Sequence, residues 1–240
     1  MALSKRLEPL EAVKRIIDER FPACDAAIVA GSVIRGEGTA TSDLDIVLFE
    51  RERQASYRTS FFAYGWPMEV FVHSFHSYEN YFESDRERGQ PSLQQMVSEG
   101  TIVRDAPELK RIREEAKQVL LEGPDLWSES VIREKRYFIT DLLEDFIGCS
   151  SRDEGIFIAG SLAERTGDFI LRTNKCWSGS SKWLLRALKR HDPTIAGQFS
   201  DAFHRYYRNG EKESVIQLVD EAMVPHGGRL FEGFSIGKDT

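Results

Sequence analysis

Cysteine is scarce in this chain: three residues in 240, at positions 24, 149 and 176. Cys24, Cys149 and Cys176 are too few and too far apart for a disulfide framework or a zinc site, both of which need pairs or clusters of ligands. No apolar run approaches the ~20 residues of a membrane span. The first eight residues carry charge where a secretory leader would need an apolar stretch. A basic excess is missing too. Lys and Arg number 32 against 39 Asp and Glu, a net charge of −7, whereas a dedicated nucleic-acid binder shows the opposite balance. These absences lead us to expect a cytoplasmic protein with free thiols and neither a membrane nor a nucleic-acid partner. What remains is ordinary: 41% hydrophobic and 30% charged residues, enough for a real core in one large or two small domains.

Hydrophobic periodicity divides the chain in two. Leu10, Val13, Ile16 and Ile17 recur at helical spacing, so a helix is expected over 4–20, stopped by Pro22. The apolar run 26–30 reads as a buried strand, 31–41 as a polar, Gly-rich turn, and 45–50 as a second strand. A short helix is expected over 53–63, a turn at Gly65-Trp66-Pro67, and a third strand over 68–73, where apolar character alternates. Helix with a break near Gly89-Gln90-Pro91 follows to 99, then a short strand at 101–105. Residues 107–121 form an amphipathic helix with Leu109, Ile112, Ala116, Val119 and Leu120 on one side. After Glu122-Gly123-Pro124-Asp125 the strand signal ends, and helical patterns occupy 128–148, 153–173, 178–190, 194–208 and 211–223. The expectation is an α+β fold with two domains: 1–122 with a small mixed sheet, and 123–240 as an α-helical bundle.

The chemistry concentrates in residues 31–45. Gly31-Ser32, nine further residues, and Ser42-Asp43-Leu44-Asp45 run directly into the apolar strand. Residues i and i+2 of a strand share a face, about 6–7 Å apart. Asp43 and Asp45 therefore repel each other unless a positive charge lies between them, and a hard divalent cation such as Mg²⁺ suits carboxylates together with substrate phosphates. Glu69 is the only acid on the third strand and is costly to bury there unless paired or ligated. Three carboxylates facing a Gly-Ser turn suit phosphoryl transfer. The acids would hold one or two metal ions while the amides near Gly31 and Ser32, with the Ser32 hydroxyl, hold phosphates. Arg35, in the same turn, reads as an exposed turn residue.

This pattern resembles the signature of the polymerase-β-like nucleotidyltransferase superfamily, strongly over about residues 25–75. The resemblance implies a palm-like first domain, metal ligation by Asp43, Asp45 and Glu69, and nucleotide contacts from Gly31, Ser32 and Ser42. The helical second half is similar to that of the aminoglycoside (kanamycin) nucleotidyltransferases, which implies a helical substrate-binding domain bearing a catalytic base. Asp145 is the closest match for that base, with Asp141 one turn earlier. Two Trp residues flank a small-residue loop that opens a helix with Lys182, where a positive charge could contact triphosphate. The implied reaction moves a nucleoside monophosphate, AMP from ATP, to a hydroxyl of a small molecule such as an aminoglycoside or lincosamide antibiotic, with a homodimer plausible. The alternatives are an antitoxin-like protein AMPylase and an inactive nucleotide-binding module.

Overall fold

The structure, a computed structural model, describes residues 6–237. The fold is mixed α+β, and the chain forms two compact units that meet in sequence at Gly123 and Pro124.

The first unit opens with α1 (Pro9–Arg20). Positions 4 and 5 of the expected helix lie outside the described residues, and 6–8 are not helical. Pro9 suits the first helical position, and the Glu8 carboxylate caps the helix by accepting from Glu11 N at 2.9 Å. Ala12, Val13, Ile16 and Ile17 are its buried stripe.

Five strands follow: β1 (Ala26–Ala30), β2 (Leu44–Phe49), β3 (Tyr57–Ala63), β4 (Trp66–His73) and β5 (Thr101–Arg104). They form one mixed sheet in the order β3-β4-β2-β1-β5. The β2–β4 pair is parallel and the other pairs are antiparallel. One sheet face, carrying Val29, Leu44, Ile46, Leu48, Met68, Val70 and Val72, packs on the α1 stripe. The other face presents Ile28, Val47 and Phe49 to α3 (Tyr78–Arg88), α4 (Ser92–Glu99) and α5 (Pro107–Glu122), which answer with Tyr78, Phe82, Leu93, Val97, Leu109 and Ile112. Each such buried aliphatic or aromatic side chain contributes about 1.5–3 kcal/mol.

Two expectations are corrected here. Residues 57–63 are strand β3, not part of a helix over 53–63. Tyr57, Thr59, Phe61 and Ala63 alternate with Arg58, Ser60 and Phe62, a period of two that sends Phe61 and Ala63 against the core. The turn is not Gly65-Trp66-Pro67 but Tyr64-Gly65, both at positive φ (51° and 81°), the backbone that a tight two-residue hairpin demands. Trp66 and Pro67 already belong to β4. Pro67 pairs only with Phe62 of β3, because pairing with β2 begins at Met68, so its missing N–H is not needed there.

The second unit contains α6 (Glu129–Gly148), α7 (Arg152–Thr173), α8 (Lys182–His191), α9 (Pro193–Asn209), α10 (Glu213–Met223) and a 3₁₀ turn at Val224–His226. Leu143, Phe146, Leu162, Phe169, Leu188, Phe203, Val219 and Met223 form its core. Helix α8 starts four residues later than 178. Gly179 and two serines, poor helix formers, precede it, and Ser181 sits at φ 53°. Among the described residues no helix is long and apolar enough to cross a membrane. All three cysteines are free thiols.

Candidate metal centre

Strand register builds the site. Asp45 of β2 and Glu69 of β4 are direct partners across the parallel pair, so their side chains share a face at the ~4.8 Å strand spacing. The helix-packed cluster takes Val47 and Phe49 from β2 but stops short of Asp45. Asp43 lies one residue ahead of β2, and its carboxylate joins the other two. One oxygen from each of Asp43, Asp45 and Glu69 lies within 4.8 Å of the others, and all three residues are half-buried.

The cluster is electrostatically frustrated. The Asp45 carboxyl is pushed up to about 6, first by burial and then by the charges of Asp43 and Glu69, with Arg35 and Arg58 opposing. Glu69 pairs with Arg58 of β3 and lies 3.5 Å from Ser60 Oγ. Among the described residues the carboxylates of Asp43 and Asp45 accept no hydrogen bond and form no ion pair.

The turn before β2 closes over the acids. Strand β1 runs into α2, the single turn Gly31–Ile34, with Gly31 at φ 85°. A Cβ at Gly31 would lie 2.1 Å from Asp45 Oδ2, so glycine meets both the backbone requirement and the close approach. Ser32 Oγ lies 3.2 Å from Ser42 Oγ, which in turn accepts from Thr39 N at 2.8 Å. Ser42 thus fastens the loop. Arg35, expected as an exposed turn residue, is only a quarter exposed and lies 3.6 Å from Glu37 and 3.3 Å from Glu99.

These residues fit a divalent cation. The donors are hard carboxylate oxygens, the kind Mg²⁺ prefers. Three negative charges face one directly paired guanidinium, and the side-chain-free Gly31 leaves the Asp45 carboxylate approachable.

The other residues singled out from sequence lie in the second unit. Asp141 and Asp145 are exposed on α6, four residues apart. Lys182 is the exposed first residue of α8, its Nζ 5.9 Å from the Trp183 ring. Sequence reasoning missed Arg58 and Ser60, because reading 53–63 as helix hid them. The alternation along Tyr57-Arg58-Thr59-Ser60-Phe61 was the available signal.

No protein-family model matches the chain, and no curated protein matches it. Among solved structures it is similar to a nucleotidyltransferase-like protein from Exiguobacterium sibiricum 255-15. The two share 9% identity at a TM-score of 0.47, over 91% of this chain and 75% of that one.

Proposed function

We propose that the chain is a metal-dependent nucleotidyltransferase that moves a nucleoside monophosphate, in the first place AMP from ATP, to a hydroxyl of a small molecule and releases pyrophosphate. The observation that carries this reading is the cluster of Asp43, Asp45 and Glu69 beside the Gly31-Ser32 turn. Divalent cations held by those three acids, Mg²⁺ above all, would neutralise charge on the attacking and leaving oxygens. The chain's own groups bind and orient. The Ser32 amide and hydroxyl hold the phosphates, Gly31 keeps their approach to Asp45 open, and Ser42 holds the loop in shape. The acceptor oxygen bonds to the α-phosphorus, the α–β anhydride bond breaks, and the acceptor's proton passes to a carboxylate base. The sequence resemblance supports Asp145 as that base, Lys182 as a triphosphate contact, an aminoglycoside- or lincosamide-type acceptor, and a homodimer.

A pyrophosphate-release screen with Mg²⁺, ATP or GTP and a panel of hydroxylated small molecules tests this. The expected result is acceptor-dependent release that Asp45→Asn abolishes in a folded protein. Unchanged turnover in that variant refutes the assignment. Label on the protein itself, or on a co-purified protein, would move the reading to protein AMPylation. Asp145→Asn should slow turnover more than tenfold; a smaller loss places the base elsewhere.

A further inference from the structure

Glu69 already has a cationic partner on the neighbouring strand. Arg58 stands opposite Phe71 in the β3–β4 register, and its guanidinium lies 5.0 Å from the Phe71 ring centroid. From there it reaches the diagonal neighbour on the same face, Glu69, and pairs with Oε1. Such diagonal positions are within reach of long side chains. Ser60, the direct register partner of Glu69, approaches the same oxygen at 3.5 Å. The Arg58 side chain is 60% exposed and that of Glu69 only 20%. Strand β3 is also the sheet edge. The guanidinium therefore has room to swing, while the carboxylate is mostly covered.

We propose that Arg58 is an exchange residue of this site: it neutralises Glu69 while the acids are bare, yields that carboxylate to a divalent cation, and turns to the phosphates of the incoming nucleoside triphosphate. This rests on the metal-dependent nucleotidyl-transfer reading. A doubly charged cation among the three acids repels a guanidinium about 6 Å away strongly enough, even in water-like surroundings, to change affinity about tenfold. The same fork of N–H donors matches phosphate oxygens bidentately. Arg58 thus opposes the metal and favours the nucleotide, and the two effects carry opposite signs. A merely structural ion pair would not produce that pattern.

The test uses the full chain in low salt, titrated with Mn²⁺ alone by calorimetry, then with a non-hydrolysable ATP analogue at saturating Mg²⁺. Arg58→Gln should bind Mn²⁺ about five- to tenfold more tightly and the analogue about tenfold more weakly. Arg58→Lys should keep parental Mn²⁺ affinity and show intermediate analogue affinity. Failure of either half for Arg58→Gln overturns the exchange, and weakening of both marks Arg58 as structural. Asp45→Asn separates the two levels. If the parent binds no Mn²⁺, or binds it undiminished in Asp45→Asn, the metal site itself falls and the inference with it. If Asp45→Asn abolishes Mn²⁺ binding while Arg58→Gln changes nothing, only the role of Arg58 is overturned.

Discussion

Replacing Asp45 by Asn should stabilise the metal-free protein near neutral pH while it removes activity. In the fold the Asp45 carboxyl is held at about 6 against an ordinary 3.8, and each tenfold in proton affinity is worth about 1.4 kcal/mol. That sets a ceiling near 3 kcal/mol, and partial solvent screening brings the expected effect to about 1–3 kcal/mol. The sign follows from linkage. Between pH 3.8 and 6 the folded state holds a proton that the unfolded state has released. Stability therefore falls as pH rises through that window, and the cost is complete above it. Asn carries no charge, so the gap between variant and parent should be near zero at pH 4 and full at pH 7. Calorimetric melting from pH 4 to 8 in the presence of a chelator measures it. Mg²⁺ at a thousand times Kd should reverse the order: it stabilises the parent by about 4.1 kcal/mol and leaves the variant unmoved. A variant no more stable than the parent at pH 7 without metal, or a gap that stays flat from pH 4 to 7, refutes the reasoning.

Two further substitutions probe the frame. Gly31→Ala places a residue with a Cβ at φ 85° and drives that Cβ to 2.1 Å from Asp45 Oδ2. The backbone alone should cost about 1–2 kcal/mol, and displacement of Asp45 should weaken Mn²⁺ binding at least tenfold; parental Mn²⁺ affinity would show that the close approach is not needed. In the helical unit, Asp192 caps α9 by accepting from Thr194 N at 2.7 Å and Ile195 N at 3.2 Å. Asp192→Ala should lower the melting temperature by a few degrees at pH 7. Those backbone donors hold the Asp192 carboxyl below its ordinary value, so its contribution is present at neutral pH and lost on acidification, and the deficit should shrink toward pH 3.

Where periodicity and punctuation agree, the sequence is nearly sufficient. Pro22 marks the end of α1, although the helix begins at Pro9 and not before it, the uninterrupted apolar runs of β1 and β2 mark central strands, and the cap residues Ser128, Ser151 and Asp192 open three helices of the second unit. Local signals fail where the deciding contact is distant. Strand β3 is an edge strand with one face in solvent, so its polar positions at Arg58 and Ser60 dilute the apolar pattern that β4 completes through hydrogen bonding. Asp43 and Asp45 were legible as a pair from their spacing, and Glu69 from its isolation among apolar neighbours. That Glu69 lies directly opposite Asp45 is set by the parallel β2–β4 register, which no short stretch of sequence encodes. Arg58 entered the site only through the same strand order.

Two buried or half-buried acids of the first unit show why the cluster argues for chemistry rather than for folding. Asp85 is 2% exposed and burial pushes its carboxyl up, yet its charge has partners that oppose the shift: Leu93 N donates to it at 2.9 Å and Arg88 pairs with it. Losing both contacts would leave an uncompensated buried charge, so Asp85 belongs to the architecture of the α3–α4 corner. Asp45 is more exposed but worse served. It is pressed by two further carboxylates and, among the described residues, neither it nor Asp43 is bonded by any side chain or amide. A single acid at position 69 would suffice for the edge-strand pair with Arg58; the two aspartates add repulsion that the nearby charges of Arg35 and Arg58 only partly offset. Local conflicts of this kind persist at functional sites, and the species that would relieve this one is a small multivalent cation drawn to oxygen donors.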